Sequence, residues 1–275
     1  MSTDDTSASR RVETTDDAAS VEGETKIVVE NVTKTFGRIT ALEEVNLAIE
    51  TGEIFALVGD NGAGKSTLMN VLSGVHAPSS GSVYVDDEGV EFSNPSDARA
   101  SGIETVYQDL ALMDDLDIAT NIFMGEFPMK EFGPVSFVDW AETFDRAEEI
   151  MMERLNRDVD LNTEVAFLSG GQRQLVAIGR ALAFDPDVIV LDEPTSALSV
   201  EATRLVQDTI RTLSEQGITV VIVSHNIEAV LGLADRIGVL YQGSLVDVLA
   251  PRETNLEALN DLMTTGRSGD GLLED

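Results

Sequence analysis

The sequence predicts an α/β fold: a mostly parallel sheet flanked by helices, with a small antiparallel β unit and an inserted helical subdomain. Three observations predict it. An apolar strand at residues 53–58 runs straight into a glycine-rich stretch and then a helix. Strand-like and helix-like segments alternate again after residue 169. Between these regions, residues 110–165 lose the alternation and read as helical, most clearly over 141–155. Such alternation belongs to parallel sheets, whose strands are joined by helical crossovers.

The elements follow in order. Residues 1–24 are mostly Ser, Thr, Asp, Glu and Ala with almost no large apolar side chain, the composition of a disordered acidic tail. Residues 25–265 form one domain, and 266–275 read as a frayed end. Apolar segments 27–29 and 45–49 are strands of the antiparallel unit, and 53–58 is a buried strand. Residues 65–72 form a helix and 105–107 a short strand. After the helical insertion come a helix at 169–184, a strand at 188–191 and a helix at 201–215. A strand at 218–224, a helix at 227–233 and a strand at 236–241, ending in the turn Gln242-Gly243, close the series.

Charge bounds the partners. The chain carries 50 acidic and 18 basic residues, a net charge of −32. The first 25 residues supply only a small part of it, so the folded part is itself strongly acidic. Such a surface repels itself in dilute buffer. It is tolerable where molar salt shortens the Debye length to about 3 Å, and it reads as the surface of a halophile's protein. It argues against nucleic acid as a partner, which needs a basic face. With no cysteine there is no disulfide framework and no thiolate metal site. No apolar run is long enough to span a membrane, and the N-terminus lacks the pattern of a secretory signal.

The chemistry begins at Gly59-Asp60-Asn61-Gly62-Ala63-Gly64-Lys65-Ser66-Thr67. Its glycines let backbone N–H groups converge on phosphate oxygens, and the following helix N-terminus favours the anion. Lys65 suits the β- and γ-phosphates, and the Ser66 hydroxyl suits Mg²⁺. About a hundred residues on, Leu168-Ser169-Gly170-Gly171-Gln172 opens another helix, with Ser169 as its N-cap. Residues 188–193 form an apolar strand ending in Asp192 and Glu193, at the edge where open α/β sheets bind ligands. Asp192 suits Mg²⁺, and Glu193 suits the attacking water as general base.

With the pentapeptide 168–172 the chain resembles the ATP-binding cassette family of P-loop ATPases, over about residues 26–265. The resemblance implies ATP and Mg²⁺ as cofactors. It implies that Gln108 meets Mg²⁺ and water, that His225 contacts the γ-phosphate, and that Phe36 stacks on adenine. The alternative for Phe36 is a core contact of the small β unit. It also implies a head-to-tail homodimer, in which Ser169, Gly170, Gly171 and Gln172 of one subunit cover the nucleotide held by the other. The catalytic set is then Lys65, Gln108, Glu193 and His225. The nucleotide is held by Phe36, residues 59–67 and 169–172, and Mg²⁺ by Ser66, Gln108 and Asp192. One departure stands out: Ser199 replaces an aspartate common in the family, which leaves the coupling between the two sites open.

The segments 102–112, 121–125 and 224–226 resemble the ATPases of ribose, xylose and fructose importers, and the single-cassette fructose type in particular. That implies transmembrane permease subunits, an extracellular solute-binding protein acting indirectly, and a peripheral place on the cytoplasmic face of the membrane. Import of a nucleoside or another small polar solute stays open, as does, more remotely, a cassette outside transport. The apolar cluster Ile122, Phe123, Met124, Phe127, Met129 and Phe132 reads equally as a groove for the permease or as the subdomain's own core.

Overall fold

The computed structural model describes residues 24–267. The expectations for an acidic tail and a frayed end fall almost wholly outside that range. Two long strands, β1 (Thr25–Phe36) and β2 (Ile39–Glu50), pair antiparallel through the tight turn at Gly37-Arg38. With β4 (Ser80–Val85) and β5 (Glu88–Val90) they form a four-stranded sheet in the order β2-β1-β4-β5. The turn joining β4 to β5 is Asp86-Asp87, both at positive φ, as a twist-matched two-residue hairpin loop requires.

The central strands are β3 (Ile54–Gly59), β6 (Ile103–Val106), β9 (Val188–Asp192), β10 (Thr219–Ser224) and β11 (Arg236–Tyr241). They run parallel, and β12 (Ser244–Leu249) adds antiparallel to β11, giving the order β12-β11-β3-β10-β9-β6. Strands β3 and β10 are buried at every residue. That suits a sheet covered on both faces. The helices are α1 (Lys65–Leu72), α2 (Pro95–Ala100), α5 (Gly170–Leu182), α6 (Val200–Glu215), α7 (Ile227–Leu231) and α8 (Leu256–Thr265). Two apolar clusters fill the interior. One lies between the two sheets around Phe55, Leu68 and Leu72, and the other joins the parallel sheet to the inserted subdomain through Ile122, Phe123 and Ile178.

The inserted subdomain is only partly helical, which corrects the reading of 110–165. It contains α3 (Ile118–Ile122) and α4 (Trp140–Glu148), and α4 continues into a wider π turn at Glu149–Arg154. Between α3 and α4 stands an antiparallel hairpin, β7 (Met129–Phe132) and β8 (Val135–Val138). The hairpin divides the apolar cluster. Ile122 and Phe123 are core, whereas Met129 and Phe132 are exposed, Phe132 at 81 %. A second correction lies at Gln242-Gly243. Both residues have positive φ, and the turn is a hairpin leading into β12 rather than the end of the series.

Candidate nucleotide site

Topology assembles the site. Strands β3, β10, β9 and β6 are neighbours in the sheet and parallel. Their C-terminal ends therefore meet at one edge. There β3 delivers the loop 59–67, β10 delivers His225, β9 delivers Asp192 and Glu193, and β6 delivers Gln108. One cleft of about 360 Å³ is lined by Asn61, Gly62, Gly64, Lys65, Ser66, Thr67, Gln108, Asp192, Glu193 and His225, with Ala41 and Val223 beside them.

The loop is shaped for close approach. Gly64 caps α1 at φ 109°, a conformation that L side chains avoid, and a Cβ there would stand 2.6 Å from the Ala41 carbonyl oxygen. A Cβ on Gly59 would collide with the Leu240 carbonyl oxygen. Lys65 is 8 % exposed, and its Nζ donates to the carbonyls of Gly59 at 2.7 Å and Asp60 at 3.1 Å. Burial holds its pKa below the usual lysine value, while Glu193, Asp60 and Asp192 pull it back. A cation desolvated in this way favours an anion brought to it.

The carboxylates face that cation. Burial raises the pKa of Asp192, and the charge of Glu193 adds to the rise, while Lys65 and the backbone N–H of Gln108 oppose it. Glu193 sits at φ 49°, and its backbone N–H donates to the Val223 carbonyl at 2.8 Å. Positive φ in a non-glycine residue at a functional edge is backbone strain that aims a side chain. The carboxylate so aimed is held on three sides. His225 Nδ1 lies 2.6 Å from Oε1, the His225 backbone N–H donates to Oε1 at 3.1 Å, and the Ser224 hydroxyl donates to Oε2 at 3.4 Å. Ser224 and Ala41 were missed in the sequence. Their only signals are position: one ends a strand and the other lies opposite the loop.

The donors suit Mg²⁺. Among the described residues no cluster of three His, Cys, Asp or Glu side chains could hold a metal alone. The available set is oxygen from Ser66, Gln108 and Asp192, which matches the way Mg²⁺ is held by one carboxylate together with phosphates and water. Phe36 does not line the cleft and is not core, being 43 % exposed at the end of β1.

Nor does the second motif line the cleft. Ser169 and Gln172 form a reciprocal cap: the Gln172 backbone N–H donates to the Ser169 hydroxyl, and the Ser169 backbone N–H donates to Gln172 Oε1 at 2.9 Å. This cap starts α5, which packs against α6 so tightly that a Cβ on Gly171 would stand 2.9 Å from Ala202 Cβ. The first glycine loop and Ser169–Gln172 are thus separate surfaces of one chain.

A family model described as ABC transporter matches residues 42–196, from β2 through the turn after Glu193. The chain belongs to the ABC transporter family. Its ATPase fold recurs in a nucleotide-free ATP-binding cassette with TM-score 0.75 and 26 % identity, covering 90 % of this chain and 98 % of that one. It also matches a dimeric ATP-binding cassette in a post-hydrolysis state bound to ADP and Pi, with TM-score 0.67 and 30 % identity over 83 % of this chain and all of that one. Among curated relatives, the xylose/arabinose import ATP-binding protein of Sulfolobus acidocaldarius is 42 % identical, covering 86 % of this chain and 93 % of that protein. The fructose import ATP-binding protein of Rhizobium meliloti is 37 % identical, again covering 86 % and 93 %. The ribose import ATP-binding protein of Chelativorans sp. is 39 % identical, but this chain spans only 44 % of its length. As an ABC ATPase, the chain carries its nucleotide-binding fold without any helix, among the described residues, long and apolar enough to cross a membrane.

Proposed function

We propose that this chain is the ATP-hydrolysing subunit of an importer for a monosaccharide of the xylose, arabinose, ribose or fructose class. The carrying observation is the convergence of Lys65, Gln108, Asp192, Glu193 and His225 on one cleft, in a chain 42 % identical to a xylose/arabinose import ATP-binding protein.

Each residue has a task. The N–H groups of residues 59–67 hold phosphate oxygens, and the Lys65 ammonium leaves the Gly59 and Asp60 carbonyls for the β- and γ-phosphates. Ser66, Gln108 and Asp192 hold Mg²⁺, which when bound neutralises phosphate charge. Glu193 accepts the proton of the attacking water. His225 orients Glu193 through Nδ1 and turns its other ring nitrogen towards the γ-phosphate. Little covalent work is left for the protein, so positioning and charge dominate.

Ser169, Gly170, Gly171 and Gln172 act in trans. They present a helix N-terminus to the nucleotide of a second copy, which is why they stand away from this chain's own cleft. Ser199 caps α6 by accepting from the Ala202 backbone N–H. It keeps the short hydrogen-bonding role of an aspartate there but carries no charge across the interface. The permease meets the inserted subdomain, and the domain boundaries at 25 and 265 bound the motor.

The experiment is uptake. The chain is reconstituted with its permease in proteoliposomes in molar KCl, and ATP-dependent entry of labelled xylose, arabinose, ribose and fructose is measured beside a nucleoside. Uptake of one of the sugars is expected. Uptake of the nucleoside alone would overturn the substrate class.

A further inference from the structure

We infer that His76 and Lys34 are positioning residues for the Phe36 ring, and through it for the adenine of ATP. The inference rests on the reading of Phe36 as the adenine platform. Phe36 lies at the last position of β1 beside a two-residue turn, where an aromatic side chain would ordinarily move freely. It does not stand alone. The His76 ring meets it at a centroid distance of 5.2 Å and an interplanar angle of 72°, an edge-to-face pair. The Lys34 ammonium lies 5.2 Å from the same ring centroid, within cation–π range.

The loop that supplies His76 is fastened to β1. Lys34 Nζ donates to the Ala77 carbonyl at 2.6 Å, and the Thr35 backbone N–H donates to the Ser79 hydroxyl at 3.0 Å. The Ser79 backbone N–H donates to the Thr33 carbonyl at 2.8 Å. At its other end the His76 backbone N–H donates to the Asn70 carbonyl in α1 at 3.0 Å. Helix α1 begins at Lys65, so one helix joins the phosphate loop at its start to the base platform at its end.

The platform lies near the cleft along the chain. Phe36 pairs with Ile39 across the turn, and cross-strand partners share a face. Ala41 lies two residues further along β2, at a register shift of the β1–β2 pair, and lines the cleft. Phe36 and Ile39 are both exposed and stand at the β1–β2 turn, two residues of β2 from the cleft lining at Ala41. A ring already held in place loses less freedom when a base stacks on it. Base and phosphates are then held by separable devices: the clamped Phe36 ring for one and residues 59–67 for the other.

The test compares equilibrium binding of Mg-ATP with that of Mg-inorganic triphosphate, which has no base. Full-length wild type, Phe36→Ala, His76→Ala and His76→Phe are measured in molar KCl. His76→Ala is expected to weaken ATP by about 2- to 10-fold, the range an aromatic pair sustains, while triphosphate binds as to wild type. His76→Phe restores ATP binding by keeping a ring edge on Phe36. A His76→Ala chain that binds ATP like wild type overturns the inference. So does one that loses ATP and triphosphate alike, or a His76→Phe chain no better than His76→Ala. If Phe36→Ala itself leaves ATP binding unchanged, the adenine-platform reading fails first.

Discussion

His225 Nδ1 lies 2.6 Å from Glu193 Oε1, so the proposed base and the imidazole beside it form one hydrogen-bonded unit across neighbouring strands. Val223 pairs with Asp192 in the β10–β9 ladder, and the two functional residues each follow that register by a step or two.

Removing the base should separate hydrolysis from binding. Glu193→Gln is expected to lower kcat by about 10²- to 10⁴-fold, the usual contribution of a positioned general base, while ATP still binds. Steady-state hydrolysis beside equilibrium nucleotide binding checks it. His225→Ala should also lower kcat but by less, because the Ser224 hydroxyl and the His225 backbone N–H still hold Glu193.

Asp192 carries a stability cost through its burial. Its folded-state pKa lies above its unfolded value, chiefly through burial. The folded protein therefore binds more protons than the unfolded chain in that window, and this group's contribution falls as pH rises from about 3.9 through the raised value. Asp192→Asn removes the cost. At neutral pH without nucleotide it should raise Tm by at most about 2–4 °C, the shift made by 1 kcal/mol in a domain of this size, since solvent screens a half-exposed group. Adding Mg-ATP should stabilise wild type more than the variant, as calorimetry would record.

The two glycines of the second motif, Gly170 and Gly171, should respond differently to a methyl group. A Cβ on Gly170 meets only the tip of the Leu198 side chain, at 2.9 Å, and that side chain can swing away. A Cβ on Gly171 meets Ala202 Cβ at 2.9 Å and its Cα at 3.2 Å, which cannot yield without moving α6. Gly171→Ala should cost about 1–3 kcal/mol, and Gly170→Ala should leave Tm almost unchanged. Thermal unfolding of both variants checks the contrast.

The exposed hairpin should be dispensable for stability. Phe132 and Phe137 are 81 % and 59 % exposed, so Phe132→Ser with Phe137→Ser should change stability by about 0.5 kcal/mol or less per site. Denaturant unfolding measures this. The same changes at Ile122 or Phe123, both core, would unfold the subdomain.

Much of this was legible in the sequence because the chemistry demands particular residues in particular contexts. A buried strand ending in Gly59 and a helix starting at Lys65 leave few alternatives, and Val188–Asp192 ends in its acids as the strand leaves the core. The hairpin at 129–138 was hidden because its strands are four residues each and exposed, so burial imposes no clear period on them. The Gly133-Pro134 dipeptide between apolar residues was the available turn signal. Strand β12 was hidden similarly, being only half-buried throughout, although Gln242-Gly243 is itself a hairpin-turn pair. The place of Ser169–Gln172 outside the cleft is a tertiary fact with no local signature.

Each ATP site is proposed to be shared between two copies of the chain and to hydrolyse ATP through Glu193. The most direct measurement is the molar mass of Glu193→Gln in molar KCl, by light scattering, with and without Mg-ATP. A monomer that becomes a dimer holding two ATP, and fails to do so when Ser169→Arg is added, is the predicted result. A Glu193→Gln chain that saturates with ATP yet stays monomeric would contradict it.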